Sequence, residues 1–506
     1  MTARTIMVQG TASSVGKSII ATALCRMFAQ DGFSVAPFKA QNMALNAFVT
    51  PDGGEIGRAQ AVQAIAARVV PTVDMNPILL KPEGDARSQV VVLGKPIGSL
   101  GAVDYQAQKP ELRGIVRASL ERLRARCDVV VIEGAGSPAE VNLKERDLVN
   151  MFVAESVGAP VILVGDIDRG GVFAAFVGTL ALLEPRERAL VAALLINKFR
   201  GDVRLLESGL RFLEEHTKKP VLGVVPYVRG MAIADEDSVS LEDRRGRRRA
   251  RPDEVEIAVV LLPRISNYDD FQPLEHEPGV VVRFVEAPRE LEGADLVVLP
   301  GTKSTIADLA WLRASGFETT LLERRRRGLP ILGVCGGCQM LGRTIADPEL
   351  IESSTASAEG LALLPLVTRF GAEKRTAQVE ARPGIASFLT RGSTANVTGY
   401  QIHMGRVERL EGGPVFAIEL RNGAADSELD GAASSDGVVV GTMIHGLFEN
   451  VALRSAMLTN LRGRCGIAAP SLARPAPVVD EYDRLAGVVR ESIDLTLLRR
   501  VMRLEG

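Results

Sequence analysis

The sequence predicts an α/β protein with two doubly wound domains, each built around a mostly parallel β-sheet. Short apolar runs, typical of buried strands, alternate along the chain with segments of helical spacing. Glycine-bearing turns follow two of these runs directly, at residues 10–18 and 335–337. Ligands of such sheets bind at the carboxyl ends of the strands, so both turns are candidate functional sites. A length of 506 residues is ample for two such domains.

The composition is that of a globular chain and excludes several classes of protein. Hydrophobic residues make up 46% of the chain and charged residues 24%, and the net charge is −2, so nothing favours binding to nucleic acid or to a membrane. The cysteines lack the spacing of a disulfide framework, and the Cys335–Cys338 pair lacks the further ligands of a zinc site. Without a signal-like start or a long apolar run, we expect a cytoplasmic protein. Its oligomeric state, a homo-oligomer included, stays open.

The first strand leads into a phosphate-binding loop. An apolar run at residues 5–9 is followed by Gly-Thr-Ala-Ser-Ser-Val-Gly-Lys-Ser at 10–18 and by helical spacing at 19–30. In this order the backbone N–H groups of the loop face phosphate oxygens, Lys17 neutralises the terminal phosphates and Ser18 holds Mg²⁺. Five residues separate the two loop glycines, one more than in the standard form. The predicted nucleotide-binding residues of the loop are Gly10, Thr11, Ser14, Val15, Gly16, Lys17 and Ser18.

Further strand-like runs continue through the first half of the chain. They lie at residues 34–36, 129–132, 161–164, 192–196 and 221–225. Helical stretches between them include residues 56–70 and 109–126. Four of the runs are followed by polar segments, at residues 38–43, 133–138, 166–171 and 197–202. Because the carboxyl ends of parallel strands meet at one edge of a sheet, we expect these segments to line the same site as the phosphate loop.

Single residues in and near these segments are candidates for specific roles. Glu133 is the candidate second Mg²⁺ ligand, because a carboxylate at a strand end can face Ser18. Asn197 and Lys198 are candidates for the pocket of the nucleotide base. The candidate substrate contacts are Lys39, Asn42, Glu55, Gln60, Asn76, Lys81, Asn142 and Arg169. Ordinary surface polarity is the alternative for each of them taken alone, and the remaining cysteines of this half, Cys25 and Cys127, are interpreted as core residues.

A charged segment at residues 235–254 marks a domain boundary, because it lacks hydrophobic periodicity. A solvated linker is favoured over a nucleic-acid patch, since the arginine-rich run begins with acidic residues and contains no aromatic residue. The predicted organisation is a nucleotide-binding domain, a linker, a second domain and a helical extension. Their bounds are 1–235, 236–254, 255–450 and 451–506.

The second half contains a cysteine in an unusual turn. Strands are predicted at residues 256–262, 280–285, 295–299 and 331–334, with a glycine-bearing turn at 300–304 before a helix near residue 305. The last strand ends in Gly-Val-Cys-Gly-Gly, in which Cys335 occupies the position of a nucleophile elbow. Such a tight turn exposes the thiol beside a helix N-terminus, which favours a reactive thiolate. A buried core cysteine is the alternative, but the glycines on both sides favour the nucleophile.

A cysteine nucleophile needs a base that takes its proton and returns it to the leaving group. The chain has four histidines. His445 follows a strand predicted at 438–440 and precedes a glycine, so it is the candidate base. His403 is interpreted as a substrate contact or a packing residue, and His216 and His276 as surface residues. Helices are predicted at 451–464 and 479–504, where they cap the second domain.

The second half resembles the class I glutamine amidotransferases, on the evidence of the Cys335 elbow, the Pro300-Gly301 turn and the downstream His445. The resemblance implies a glutamyl thioester on Cys335, His445 as the base, and an oxyanion hole that includes Gly301 and Gly336. The family usually carries a Glu two residues after the histidine, where this chain has Leu447. Glu449 is the weak substitute. The first half resembles dethiobiotin synthetase, a P-loop NTPase-like enzyme that activates a carboxylate with ATP.

Together, the two halves are similar to the cobyric acid synthase family. The matching segments are Val8-Gln9-Gly10-Thr11, Lys39-Ala40-Gln41-Asn42-Met43, residues 133–140, 165–171 and 197–201, and Gly333-Val334-Cys335-Gly336-Gly337. The resemblance implies an enzyme of cobalamin (vitamin B12) biosynthesis. It would use ATP, Mg²⁺ and glutamine to amidate the b, d, e and g carboxylates of adenosylcobyrinic acid a,c-diamide. Cys338 departs from the family pattern, in which an aromatic residue is expected.

Three alternatives stay open at this point. The first is the sister enzyme that amidates the a and c carboxylates of cobyrinic acid, which the Val-Gln-Gly-Thr opening disfavours. The second is a non-catalytic ATP-switch protein of the partitioning type, which would carry another lysine near the loop start, whereas Gly10-Thr11-Ala12-Ser13 has none. The third is a degenerate amidotransferase domain used only for binding, against which the Cys335 and His445 pair argues.

Overall fold

A computed structural model of the protein describes residues 2–84, 87–228, 230, 231, 233, 248–468 and 480–504. The chain divides into two compact units. Residues 1–44, 55–236 and 477–506 form the first unit, and residues 45–54 and 237–476 form the second. Each unit is built around a six-stranded sheet of mostly parallel strands, so the predicted fold class is confirmed. Within the described ranges, every helix is too short or too polar to cross a membrane.

The sheet of the first unit is parallel throughout. In spatial order its strands are Val221–Pro226, Val191–Phe199, Val161–Asp166, Arg4–Gly10, Val129–Glu133 and Val35–Phe38. All six strands predicted in this half are therefore present. The central strand pairs Val8 with Glu133 on one side and Gly10 with Val164 on the other. This register brings the loop after Gly10 to the sheet edge where Glu133 stands.

Apolar side chains cover both faces of this sheet, as a doubly wound fold requires. Successive strand residues point to opposite faces. Ile6 and Val8 join a buried cluster with the helix Lys17–Gln30, whereas Met7 joins a different cluster with the helix Ala102–Arg124. Burial of apolar area on both faces stabilises the sheet and fixes the helices whose ends carry the polar residues of the site.

Helices are present where the sequence predicted them in the first unit, but several of their bounds differ. They are Lys17–Gln30, Arg58–Ala66, Ala102–Arg124, Met151–Val157, Val172–Leu182, Pro185–Leu190, Glu207–Thr217, Glu481–Ser492 and Leu495–Met502. The helix predicted at 56–70 is shorter and follows the strand Glu55–Gly57. The helix predicted at 109–126 begins earlier, at Ala102, and Pro110 lies inside it.

A second sheet in the first unit was not expected from the sequence. Its strands are Gln41–Met43, Ile78–Gly84, Arg87–Val92 and Lys95–Gly101. The first pair is parallel and the other two pairs are antiparallel. The sheet carries the sequence positions of Asn42 and Lys81, two of the predicted substrate contacts, on neighbouring strands.

The end of the chain differs from the prediction of one helix at 479–504 that caps the second domain. Two helices, Glu481–Ser492 and Leu495–Met502, are separated at residues 493–494 and belong to the first unit. Their apolar residues, including Leu485 and Val489, join the buried cluster of the helix Lys17–Gln30. Buried Arg26 of that helix pairs with Asp480 and Asp483. The extension predicted at 451–506 is thus divided between the two units.

The main sheet of the second unit has five parallel strands and one short antiparallel strand at its edge. In spatial order these are Val280–Val285, Val255–Val260, Leu296–Leu299, Ile331–Val334, Val439–Thr442 and Ala432–Ala433. Val334 pairs with Thr442. Cys335 and His445 therefore leave adjacent strands at the same edge of the sheet, as the sequence predicted for a nucleophile and its base.

The second unit also contains a large, mainly antiparallel sheet that the sequence did not predict. Its strands are Ser357–Glu359, Thr344–Ala346, Leu366–Pro383, Val397–Arg409, Phe416–Arg421, Ala424–Ala425 and Leu429–Asp430. The helices of the unit are Gln272–Glu275, Thr305–Ala314, Phe317–Arg326, Gly336–Leu341 and Val451–Cys465. The strand Ala47–Val49, which comes from the first fifty residues of the chain, is part of this unit as well.

The linker predicted at 236–254 lies outside the described residues as far as residue 247. In the described remainder, Arg248 contacts Glu254 at 2.5 Å and Arg249 contacts buried Glu256 at 2.8 Å. Arginines at the end of the basic run are therefore paired with nearby carboxylates, which agrees with a solvated connection.

Candidate active sites

The phosphate loop of the first unit has a conformation that only glycine accommodates at residue 16. Gly16 precedes the helix Lys17–Gln30 with φ of 97°, in the left-handed region that L-residues rarely adopt. A Cβ atom at this position would lie 2.1 Å from Nδ2 of Asn197. The loop can therefore approach Asn197 closely, and its backbone turns toward the start of the helix.

Lys17 lies across the loop and is almost completely buried. Its Nζ donates hydrogen bonds to the carbonyl oxygens of Ala12 at 3.0 Å and Gly136 at 3.1 Å. A buried ammonium group among carbonyl oxygens is well placed to exchange these partners for phosphate oxygens. The structure thus brings together the phosphate loop and the polar segment that begins at residue 133, as predicted.

Asn197 and Lys198 contact the phosphate loop. Asn197 Nδ2 donates to the carbonyl oxygen of Val15 at 2.9 Å. Lys198 Nζ donates to the carbonyl oxygen of Ser14 at 2.7 Å and to Oδ2 of Asp166 at 2.9 Å. These bonds hold the backbone of the phosphate loop in place. The sequence had suggested only a contact with the nucleotide base for Asn197 and Lys198.

Ser18 and Glu133 lie within hydrogen-bond distance of each other. The Ser18 hydroxyl donates to Oε1 of Glu133 at 2.8 Å, and Lys39 Nζ contacts the same oxygen at 2.9 Å. Gln63 Nε2 donates to the other carboxylate oxygen at 2.5 Å. Glu133 is fully buried, so its charge depends on these partners. Sequence reasoning missed Gln63, although it lies one helical turn after the candidate Gln60.

The Ser18 and Glu133 pair fits a Mg²⁺ ion. Both groups offer oxygen ligands, which Mg²⁺ prefers, and a Mg²⁺ ion in a phosphate site usually takes only one or two protein ligands. Among the described residues, no cluster of three or more histidine, cysteine or acidic side chains could hold a metal by itself. A metal at this pair would therefore share its coordination with the phosphates of the nucleotide.

Six of the eight predicted substrate contacts form a buried polar network beside this pair. Asn42 Nδ2 donates to Gln60 at 3.3 Å, Lys81 Nζ to Glu55 at 2.8 Å, and Asn76 Nδ2 to the Lys39 carbonyl oxygen at 2.9 Å. Buried charges and amides are costly unless they are paired, and these bonds pair them. A role in binding substrate stays a prediction for the six residues. Asn142 and Arg169 are exposed and make no contact with the network among the described residues.

Cys335 of the second unit has the strained backbone of a nucleophile elbow. Its φ of 52° and ψ of −111° are unusual for a residue with a side chain. The short helix Gly336–Leu341 begins directly after it. Its Sγ is near the carbonyl oxygen of Ile402, at 3.7 Å. In contrast, burial raises the pKa of Cys338 well above its ordinary value, so Cys338 is a core thiol and Cys335 is the candidate nucleophile.

The two residues predicted for the oxyanion hole lie close to the candidate catalytic pair. A Cβ atom on Gly301 would be 3.0 Å from Cε1 of His445. A Cβ atom on Gly336 would be 2.6 Å from Cγ2 of Thr302, the neighbour of Gly301. The Pro300-Gly301 turn is thus packed against the cysteine elbow, where backbone N–H groups can face a developing oxyanion.

His445 is held by a carboxylate that the sequence did not reveal. Its Nδ1 is 2.6 Å from Oδ2 of Asp270, and Oδ1 of Asp270 accepts a hydrogen bond from the Gly446 N–H at 2.9 Å. Asp270 lies in the 3-10 helix Tyr268–Phe271, 175 residues earlier in the chain. Asp270, rather than the weak substitute Glu449, supplies the carboxylate that contacts His445.

The Asp270 carboxylate also sets the charge of His445. Burial alone would lower the pKa of His445, but the charges of Asp270 and Cys335 outweigh it and raise the pKa from 6.5 to about 10. His445 is almost completely buried, so solvent screens these charges only weakly. The imidazole is therefore protonated at neutral pH once it has taken the thiol proton, and it can deliver that proton to a leaving group.

His403 has a different environment. Burial and the charge of Arg375 lower its pKa to about 4, so the ring is neutral at neutral pH. Its Nδ1 is 3.0 Å from the carbonyl oxygen of Gly405, and the ring lines a cavity of about 410 Å³. A substrate contact therefore stays a prediction for His403.

Two domain families match the chain. A model of the CobQ/CobB/MinD/ParA nucleotide binding domain matches residues 6–241. A model of the CobB/CobQ-like glutamine amidotransferase domain matches residues 256–453. The two matched ranges coincide with the halves that carry the phosphate loop and the Cys335, His445 and Asp270 site.

Several proteins are similar to this chain over its whole length. A protein of Sorangium cellulosum named cobyric acid synthase is 63% identical over 519 residues and covers all of both chains. Proteins of the same name from Dehalococcoides mccartyi and Moorella thermoacetica are 52% and 51% identical, with 99% of this chain covered in each case. The similarity therefore includes both candidate sites and the segments between them.

Proposed function

Because the chain belongs to the cobyric acid synthase family of glutamine-dependent amidoligases, we propose a division of labour between its two sites. The first unit activates a corrinoid carboxylate with ATP, and the second releases ammonia from glutamine. The observation that carries this proposal is the Cys335, His445 and Asp270 constellation, in which His445 interacts with both Cys335 and Asp270. Asp270 supplies the carboxylate that is missing two residues after His445. This argues against the alternative of a degenerate domain that only binds its ligand.

The proposed substrate is adenosylcobyrinic acid a,c-diamide, whose b, d, e and g carboxylates become amides. ATP is the nucleotide, and Mg²⁺ would be held by Ser18 and Glu133, where it neutralises phosphate charge when bound. The buried network around Asn42, Glu55 and Lys81 is the proposed polar contact for the corrinoid carboxylate or its amide groups. Since ATP and glutamine are metabolites of the cytoplasm, we infer that the enzyme works there.

In the ligase reaction, a carboxylate oxygen of the corrinoid attacks the γ-phosphorus of ATP and ADP leaves. Lys17 stabilises the negative charge on the transferring phosphoryl group, and the backbone of the loop orients it. The acyl phosphate is a good acyl donor, whereas the free carboxylate is not. Ammonia then attacks the acyl carbon, phosphate leaves with the electrons of the C–O bond, and an amide remains.

In the glutaminase reaction, the Cys335 sulfur attacks the side-chain amide carbon of glutamine. His445 accepts the thiol proton and donates it to the departing ammonia. Backbone N–H groups near Gly301 and Gly336 stabilise the oxyanion. Water, deprotonated by His445, then hydrolyses the glutamyl thioester. Asp270 holds His445 in the tautomer and orientation that both proton transfers require.

The test is an assay of the purified protein with Mg²⁺·ATP, glutamine and adenosylcobyrinic acid a,c-diamide, read by mass spectrometry of the corrinoid. Successive conversion of carboxylates to amides, with matching ADP and glutamate, is the expected result. Amidation of cobyrinic acid itself at the a and c positions would instead favour the sister enzyme. ATP hydrolysis without any amidation or glutamate would favour the switch protein.

Asp270→Asn is expected to lower kcat/KM for glutamine hydrolysis by between about 10²- and 10⁴-fold. The variant loses the negative charge that orients His445 and stabilises its protonated form. The wild-type charge raises the pKa of His445, so the protonated ring persists to high pH. In the variant that pKa falls, and the alkaline limb of the pH profile moves to lower pH. An unchanged alkaline limb in the variant would contradict the role of Asp270.

Ser18→Ala tests the proposed Mg²⁺ ligands. Loss of one of two protein oxygens is expected to reduce amidation by at least about tenfold at a fixed Mg²⁺ concentration. Raising the Mg²⁺ concentration should recover part of the rate, because the metal then binds through Glu133 and the nucleotide. Ser13→Ala, at an exposed position of the same loop, is the matched control. An equal loss in both variants would mean that Ser18 acts only through the loop structure.

A further inference from the structure

Residues 45–54 belong to the second unit although the chain on both sides of them belongs to the first. The segment contains the strand Ala47–Val49, with Ala47 and Val49 fully buried. Its second half is a turn closed by Thr50, whose hydroxyl donates to the carbonyl oxygen of Gly54 and accepts from the Gly54 N–H, both at 3.0 Å. A local, ordered structure of this kind can transmit a displacement, which a flexible loop cannot.

One set of contacts leads from the segment to the carboxylate of the glutaminase site. The Ala47 N–H donates to Oδ1 of Asn267 at 3.0 Å. Asn267 is buried, has φ of 51° and begins the 3-10 helix that carries Asp270. The Asp270 N–H donates to the Asn267 carbonyl oxygen at 3.1 Å. The position of Asn267 therefore influences the carboxylate that contacts His445.

A second set of contacts leads from the segment to the His445 ring. The ring of Phe48 lies 6.1 Å from that of Tyr400, at an interplanar angle of 49°. Tyr400 in turn stacks on His445, with the ring centroids 5.3 Å apart and the planes at 16°. The backbones of Tyr400 and His445 also exchange hydrogen bonds of 3.1 and 2.8 Å. Phe48 thus supports the residue against which the catalytic base is packed.

Two further hydrogen bonds fix the segment to the antiparallel sheet of the second unit. Thr376 Oγ1 donates to the carbonyl oxygen of Gly53 at 2.7 Å, and Gln378 Nε2 donates to that of Val49. Both donors lie on the strand Leu366–Pro383, which pairs with the strand that carries Tyr400. The segment, the antiparallel sheet and the glutaminase pair therefore form one connected set of contacts.

The ends of the segment are joined to the proposed ligase site. Asn42, three residues before it, contacts Gln60, and Glu55, directly after it, pairs with Lys81. We propose that residues 45–54 position the Asp270 and His445 pair, and that occupancy of the ligase site acts on glutamine hydrolysis through them. This inference rests on the proposed function, because it assigns the polar network to the corrinoid and phosphate site.

The test uses two variants of the positioning contacts with conservative controls. Asn267→Gly keeps the left-handed backbone and removes the acceptor for the Ala47 N–H, whereas Asn267→Asp keeps an acceptor oxygen. Phe48→Leu keeps apolar bulk and removes the ring, whereas Phe48→Tyr keeps the ring. Glutamine hydrolysis is measured with and without ATP plus the corrinoid a,c-diamide, over a range of pH, together with amidation from free ammonia.

ATP and the corrinoid together should raise the rate of glutamine hydrolysis by some factor in the wild type. We expect that factor to be about tenfold smaller in Asn267→Gly and in Phe48→Leu. The alkaline limb of glutamine hydrolysis should move to lower pH, since a loosened Asp270 no longer raises the pKa of His445. Amidation from ammonia should stay at the wild-type level, and Asn267→Asp and Phe48→Tyr should keep most of the stimulation. A lower melting temperature of Asn267→Gly or Phe48→Leu, with unchanged stimulation and pH profile, would contradict a positioning role.

Wild-type stimulation and an unchanged pH profile in both Asn267→Gly and Phe48→Leu would overturn the inference. Loss of amidation from ammonia in these variants would also overturn it, because the contacts would then serve the fold as a whole. If the wild-type protein itself produces no amide from either nitrogen source, the proposed function fails instead, and the two failures are distinguishable in the same experiment.

Discussion

Cys335→Ala is expected to abolish amidation from glutamine and to leave amidation from ammonia at the wild-type rate. The variant lacks the sulfur that forms the thioester, and loss of such a nucleophile reduces turnover by about 10⁴-fold or more. The ligase site, built from Lys17, Ser18 and Glu133, does not include this residue. The measurement is the rate of amide formation with each nitrogen source at saturating ATP.

Cys338→Ala is the matched control for this prediction. Cys338 is a fully buried thiol three residues further along the chain, against Gly441, so its removal leaves a small cavity and the nucleophile unaffected. We expect a modest loss of stability and retained use of glutamine. Loss of both nitrogen sources in Cys335→Ala would contradict the assignment of two separate sites.

Lys17→Ala is expected to abolish amidation from glutamine and from ammonia alike. The ammonium group is the buried cation of the phosphate loop, and removal of one such charge from a phosphoryl-transfer site costs more than about a hundredfold in rate. Ammonia cannot restore the reaction, because the defect precedes the step in which nitrogen enters. ADP formation in the presence of the corrinoid is the most direct measurement.

Thermal unfolding provides the control for Lys17→Ala, since the variant also removes two hydrogen bonds of the loop. A melting temperature near that of the wild type, with ADP formation lost, supports the role in phosphoryl transfer. Substantial ammonia-dependent turnover by a folded variant would rule that role out.

Much of each main sheet and both catalytic turns could be predicted from the sequence, because their strands are short, apolar and followed directly by glycine or polar residues. The strand Val129–Glu133 is buried throughout, so its position follows from composition alone. Cys335 and Lys17 were identified because their local sequence requires an unusual backbone, as the positive φ of Cys335 and Gly16 shows.

The large antiparallel sheet was missed because the alternation of its longest strand, Leu366–Pro383, is interrupted in the middle. Exposed and half-buried charged residues occupy its middle, and the pairing shifts register between Arg369 and Lys374. Such an interruption removes the period of two on which strand prediction depends. The final helices were assigned to the wrong domain because helical spacing identifies an apolar face but not the surface that it covers.

Asp270 and the segment at residues 45–54 could not be predicted, since their importance depends on tertiary contacts. Asp270 contacts His445 across 175 residues of chain, and no spacing in the sequence connects the two. The family resemblance directed attention to the positions just after His445, where Leu447 is buried and apolar. The chemistry of a proton-relay site is retained when its carboxylate comes from elsewhere in the fold.

The rate of glutamine hydrolysis by the purified protein, with and without ATP and adenosylcobyrinic acid a,c-diamide, tests the cooperation of the two sites most directly. We expect slow hydrolysis with glutamine alone, and a rate that rises when both other substrates are present and matches amide formation. Absence of hydrolysis under every condition would contradict the Cys335, His445 and Asp270 site. A rate of hydrolysis that does not change when ATP and the corrinoid are added, with no amide formed, would contradict the coupling of glutaminase to ligase.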